Sequence, residues 1–235
     1  MNFYHRRKKK RTNPLRRTNG LSIVTWLIII NVTASIIGFV AFATSEDYVS
    51  YLALKPDNIL QGKFLWTLVT HMFIHGGIGH LLINMFVLFS LGGLCERIIG
   101  RKRFLWFYII SGLFAGILSI LLAGFFGATP LGERIFGSPD MFMVGASGAI
   151  FAIAGLYVLL LPKLRFMIIF LPFFSLPAYI MVPLALFIMW GASILGNWPI
   201  GNVAHFGGFL AGIIYGIYLR AKYRRKVIKL QRMFR

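Results

Sequence analysis

Residues 143–161, MVGASGAIFAIAGLYVLLL, run nineteen positions without a charge, yet they open on Gly145-Ala146-Ser147-Gly148, a hydroxyl set between glycines. As a helix rising about 1.5 Å per residue, such a run crosses most of a hydrocarbon core about 30 Å thick. Five more apolar runs, at 21–43, 78–96, 104–126, 166–192 and 202–219, repeat the pattern. They predict an all-α polytopic membrane protein of six transmembrane helices with no separate soluble domain. Composition agrees, since 58% of the 235 residues are hydrophobic and 13% charged, with a mean hydropathy of +0.76. The run at 21–43 ends in Ala41-Phe42-Ala43, like a signal-peptide cleavage site, but its 23 residues exceed a signal h-region and predict an uncleaved first span. Asn31-Val32-Thr33 has the glycosylation pattern but lies inside that span, out of reach of the modifying machinery.

Charge sets the expected orientation. The net charge of +19 does not signal nucleic acid here, because the basic residues cluster just outside the apolar runs, as they do at span ends. Six spans with both termini cytoplasmic put 22 of the 25 Lys and Arg residues on one side. Five of the six acids, Glu46, Asp47, Asp57, Glu133 and Asp140, then lie on the other. The expected division is a disordered basic tail at 1–20, a six-helix membrane domain at 21–219 and a second basic tail at 220–235. Both tails are candidates for contact with anionic lipid headgroups. With no transit-type leader in view, they fit a multi-pass protein of a prokaryotic plasma membrane. The single cysteine, Cys95, lies in an apolar run and reads as a small core side chain.

In this topology the second, fourth and sixth spans run in the same direction, and their N-terminal ends carry His80 with Asn84, Ser147, and His205. Counted from the basic residues at the opposite ends, His80, Ser147 and His205 lie about 26, 24 and 22 Å up the bilayer, in one layer below the outer surface. Polar groups at such depth are costly unless they face a protein interior or a water-filled cavity. Helix-to-helix hydrogen bonding explains any one of them alone; the set points to a site. His205 shares a helix face with Gly208, Gly212 and Gly216, while the fourth span offers Gly148, Ala152 and Gly155. Two small faces allow close backbone approach, which predicts that Ser147 meets His205.

A serine hydroxyl becomes a nucleophile when an adjacent base takes its proton, and neutral histidine is the usual base. No acid is well placed to orient the histidine, so the pattern predicts a dyad. His80 and Asn84, four apart and on one helix face, can donate to an oxyanion, as can the backbone N–H of Ser147 at a helix N-terminus. Gly145 and Gly148 leave the backbone there open to a substrate.

These residues resemble the rhomboid intramembrane serine proteases: Gly145-Ala146-Ser147-Gly148 in the fourth span, Ala204-His205-Phe206-Gly207-Gly208 with Gly212 in the sixth, and His75, His80 and Asn84 before and within the second. Gly92 to Gly100, GGLCERIIG, is similar to the family's Gly-x-x-x-Glu-x-x-x-Gly stretch. The resemblance covers residues 21–219. It implies Ser147 as nucleophile, His205 as general base, and His80, Asn84 and the Ser147 amide as oxyanion hole. It also implies cleavage within or near transmembrane segments of membrane-protein substrates in the bilayer, with no cofactor and no metal. Substrate would pass beside the fifth span, beneath the connection from Ser193 to Ala204, with Pro172, Pro177 and Pro183 making that span irregular enough for a gate. Two positions depart from the family pattern. Trp66-Thr67 stands where many bacterial members have Trp-Arg, and Phe151 stands where a tyrosine often stacks on the catalytic histidine.

Two other classes compete. A catalytically inactive relative, a binding or quality-control factor, typically loses the nucleophile or base, and both are present here. A transporter with a vestibule of His71, His75, His80 and His205 would need a mid-membrane charge or an inverted repeat, and neither is evident.

Overall fold

The computed structural model describes residues 20–45, 47–168, 171–196 and 201–234. The basic segment at 1–19, expected to be disordered, lies outside the described residues, as do residues 197–200 in the connection expected to overlie the substrate path. The chain begins with α1 (Ile23–Thr44), whose first turn is capped by the Ser22 hydroxyl accepting from Thr25 N–H. Three short helices, α2 (Asp47–Leu52), α3 (Pro56–Leu60) and α4 (Thr67–Thr70), fill the first connection. Next come α5 (Ile78–Ile99) and α6 (Arg101–Phe126), separated only by Gly100 at φ +88°, a conformation that favours glycine. A small helix α7 (Pro130–Phe136) precedes α8 (Ser147–Leu160). The chain then forms the antiparallel strands β1 (Arg165–Ile168) and β2 (Leu171–Pro177), and ends with α9 (Ala178–Gly196), α10 (Asn202–Lys222) and α11 (Arg224–Met233).

Among the described residues, α1, α5, α6, α9 and α10 are long and apolar enough to cross a membrane. The fourth expected span, 143–161, is realised as α8 of only 14 residues, about 21 Å long. A helix that short cannot reach both surfaces of a core about 30 Å thick, so a rod anchored at one surface leaves its other end inside the membrane. Its N-terminal residue is Ser147. The residues before it extend instead, and Met143 pairs with Leu54 through Leu54 N–H to Met143 O (3.0 Å) and Met143 N–H to Leu54 O (2.7 Å).

The fifth expected span, 166–192, differs most. Its first part is the β1–β2 hairpin, and the helix starts only at Ala178. Hydropathy cannot separate a buried strand from a helix, but Pro172 and Pro177 remove two N–H donors that a helix interior would use. Arg165 pins the hairpin by donating from its guanidinium to the Ser175 hydroxyl (2.9 Å) and the Ser175 carbonyl (2.5 Å). Pro183 stays within α9, where its ring is accommodated in the second turn. At the other end of the chain, α10 runs on to Lys222 and the expected tail contains α11, with Val227 buried and Leu230 packed against the core.

Packing centres on α8, ten of whose 14 residues are buried. A Cβ at Gly208 would collide with the Gly148 carbonyl, one at Gly212 with the Ala152 carbonyl, and one at Gly155 with the Phe209 carbonyl. The backbones of α8 and α10 therefore touch along an interlocked seam of small residues. At the far end of α5, the buried Glu96 carboxylate accepts from Ile23 N–H (3.2 Å) and Val24 N–H (3.1 Å), tying the start of α1 to α5. Glu96→Ala leaves those two backbone donors without their acceptor, and is expected to cost about 1–3 kcal/mol. Thermal unfolding in detergent checks this, with Glu96→Gln expected to recover part of the loss.

Candidate active site

The first turns of α5, α8 and α10 gather at one end of the bundle, and with them the residues singled out in the sequence. His205 lies in the first turn of α10, and its Nε2 sits 2.8 Å from Ser147 Oγ, at the first position of α8. With Nε2 accepting the hydroxyl hydrogen, the imidazole proton resides on Nδ1, which meets no hydrogen-bond partner among the described residues. Asp140, the acid nearest Ser147 in sequence, is instead paired with Lys55 at 2.7 Å. The His205 ring stacks on Phe151, with centroids 4.7 Å apart and planes at 27°. The ring contact expected at this position is thus made without a tyrosine hydroxyl.

Gly145 explains how His80 joins the pair. At φ +121° it adopts a backbone that other residues rarely tolerate, and a Cβ there would lie 2.9 Å from His80 Cε1 and 3.8 Å from Ser147 Oγ. The missing side chain leaves room for the His80 ring beside the Ser147 hydroxyl. Gly145 N–H donates to the His71 carbonyl (2.8 Å), which fixes the turn into α8. The first intrahelical bond of α8 runs from Ile150 N–H to Ala146 O, so the preceding amides, Ser147 among them, point out of the helix end. Asn84 is buried and gives one amide hydrogen to the His80 carbonyl (2.9 Å), keeping the second for another acceptor.

The connection between α1 and α5 is held by side chains of its own. Trp66 Nε1 donates to Tyr51 O (2.9 Å) and the buried Thr67 hydroxyl to Phe64 O (2.8 Å), so Trp66-Thr67 anchors this loop without an arginine. His71 and His75, considered above as vestibule residues, are buried rather than lining a channel. His71 Nδ1–H donates to Thr67 O (2.7 Å), and His75 Nδ1 lies 2.9 Å from Ser35 Oγ. Burial pushes the His71 pKa down to about 4 and that of His75 to about 3. Nothing local in the sequence marks these partners, which lie on other elements or depend on how the loop folds.

A cavity of about 440 Å³ opens between α7, α9 and the start of α10, lined by Glu133, Arg134, Ser193 and Asn202 among others. It stops short of Ser147. Beside it Trp190 of α9 donates to the Ile135 carbonyl (2.9 Å) and contacts the Phe206 ring, so α9 is tied to α7 and α10 on this side. Among the described residues no three His, Cys, Asp or Glu side chains gather as metal ligands do.

The fold and site together define a multi-pass helical membrane protein with a serine–histidine pair sunk at buried helix ends. The Rhomboid domain family model matches residues 63–222. The chain belongs to the rhomboid family. It is 28% identical over 209 residues to rhomboid protease GlpG of Haemophilus influenzae, covering 88% of this chain and 93% of that protein. It is 34% identical over 168 residues to RHOMBOID-like protein 5 of Arabidopsis thaliana, covering 71% of this chain and 48% of the relative. Over 170 residues it is 30% identical to rhomboid protease GluP of Bacillus subtilis, covering 72% of this chain and 28% of that protein. The chain thus spans less than half the length of the last two.

Proposed function

We propose that the protein is an intramembrane serine endopeptidase that hydrolyses peptide bonds in or near transmembrane segments of membrane-protein substrates. The observation that carries this reading is the 2.8 Å contact of Ser147 Oγ with His205 Nε2. Ser147 attacks the scissile carbonyl while His205 takes its proton, and His205 later returns a proton to the leaving amine. Phe151, stacked on the imidazole, holds its plane, and its ring face favours the imidazolium that forms. The Ser147 amide, His80 and the second Asn84 hydrogen serve as oxyanion donors. Gly145 and Gly148 leave room for the substrate backbone, and Gly208 and Gly212 set the distance between the two catalytic helices. In this reading the catalytic end faces outward, both termini are cytoplasmic, and residues 21–219 form the membrane domain between two basic tails in a plasma membrane. Substrate passes beside α9.

A fluorescent fluorophosphonate probe tests the dyad without knowledge of a substrate. Labelling of the purified protein that disappears in Ser147→Ala and in His205→Ala supports it. Absence of labelling in folded protein, in detergent and again in a bilayer, would instead make the chain an inactive rhomboid-like binding or quality-control factor.

Asn84→Ala removes one donor among several and is expected to slow turnover about 10²-fold without eliminating it; an unchanged rate takes Asn84 out of the oxyanion hole. Activity is expected to fall on acidification, because only neutral His205 accepts the serine proton. The fold adds its own acid sensitivity. His71 and His75 have folded-state pKa values below the unfolded value of about 6.5. Their contribution to stability is therefore complete above that value and is lost as pH falls through it toward about 4 and about 3. Turnover and thermal stability measured together from pH 8 to pH 4 separate the two. Turnover indifferent to acid down to strongly acidic pH, in protein that stays folded, would remove His205 as base.

A further inference from the structure

We propose that Arg103, Lys222 and Lys226, gathered around Tyr223 at the end of the bundle opposite Ser147, form a site for the phosphate of an anionic phospholipid headgroup. The Arg103 guanidinium lies 5.6 Å from the Tyr223 ring centroid, the Lys222 ammonium 5.9 Å and the Lys226 ammonium 5.4 Å. Arg103 also donates to the Tyr223 hydroxyl (3.3 Å), and Lys222 donates to the Tyr218 hydroxyl (2.6 Å). One aromatic ring accommodates a cation well. Three around the same ring repel one another unless an anion joins them.

Among the described residues no carboxylate joins them. No Asp or Glu follows Asp140 in the sequence. At this end of the bundle Glu96 is already engaged by the Ile23 and Val24 amides and by Arg101. The ion pairs among the described residues are Lys55–Asp140 and Arg101–Glu96, and neither includes the three cations.

The surroundings select a lipid over a soluble phosphate or an acidic peptide. Ile214, Tyr218 and Lys222 are spaced four apart and form one row along α10, with Ile214 and Tyr218 exposed. On α6, Trp106 and Ile110 are exposed one and two turns beyond Arg103. An acyl chain can follow these apolar side chains into the bilayer while its phosphate stays with the cations. The adjoining α11 has the form of an interfacial helix. It buries Val227, donates from Gln231 to Leu159 O at the end of α8 (3.3 Å), leaves Ile228 and Met233 exposed, and presents Arg224, Arg225, Lys229 and Arg232.

The full chain, reconstituted in phosphatidylcholine vesicles, reports on the site through Trp106 fluorescence, quenched by brominated phosphatidylglycerol or by brominated phosphatidylcholine. The wild type is expected to be quenched several-fold more effectively by the anionic lipid, and Trp106→Phe to remove most of that excess. The excess is expected to vanish in R103Q/K222Q/K226Q and to persist in R224Q/R225Q/R232Q, which removes the same charge without touching the ring. Equal losses in the two triple variants would show a diffuse field and overturn the site, as would an excess retained in the first. Competition by soluble glycerol phosphate at constant ionic strength would identify a free phosphate site and overturn the lipid assignment.

Discussion

Ser147→Ala is expected to reduce peptide-bond hydrolysis and fluorophosphonate labelling by about 10⁴-fold or more while leaving the fold intact. The size of the loss follows from chemistry. The variant has no atom that can form the acyl-enzyme, and His205 has nothing to deprotonate. The small structural cost follows from geometry. The Ser147 hydroxyl makes its hydrogen bond to His205 Nε2 alone among the described residues, and alanine suits a helix at least as well as serine. The measurement pairs turnover of a transmembrane substrate with thermal unfolding in the same detergent. Residual turnover well above background in a purified, folded variant would show that Ser147 is not the nucleophile.

Gly208→Ala is expected to lower turnover about 10²-fold although residue 208 performs no chemistry. An added Cβ lands on the Gly148 carbonyl oxygen, with the Gly148 carbonyl carbon 2.8 Å and Cα 3.2 Å away. All three atoms are backbone, so no side chain can swing aside, and α8 and α10 must part. The contact lies next to Ser147 on one helix and three residues after His205 on the other, so parting there lengthens the 2.8 Å contact directly. Overpacking of this kind also costs about 1–3 kcal/mol of stability. Gly191→Ala is the control, since a Cβ there meets nothing within 4 Å. If Gly208→Ala keeps full turnover, the seam does not set the catalytic distance. If both glycine variants lose activity alike, the effect is one of membrane helices in general.

Much of the candidate site was legible because membrane burial makes polar residues expensive. His80, Asn84, Ser147 and His205 stand out against apolar runs, and the small faces around Gly148 and Gly208 predict which helices meet. His71 and His75 stand out equally, but their partners do not, because a buried histidine bonded to a carbonyl or hydroxyl and one lining a vestibule leave the same trace in sequence. The hairpin before α9 and the helix within the C-terminal basic segment were legible only in part. Pro172 and Pro177 argued against a continuous helix without specifying strands. Val227 and Leu230, three apart, marked one apolar face of α11 within a segment otherwise dominated by charge.

Hydropathy, charge clustering and residue type, which act locally or through the bilayer as solvent, determined the helical membrane class, five of the helical segments to within a few residues and the chemistry available at their ends. Tertiary structure alone decided that the residues before Ser147 extend to pair Met143 with Leu54, that Gly145 yields its side-chain space to His80, and that Trp66 and Thr67 anchor the first connection. It also decided that Arg103 meets Lys222 and Lys226 around one ring. Each of these depends on a distance between residues remote in sequence, and that distance is set by how closely two backbones can pack, a quantity no single segment contains.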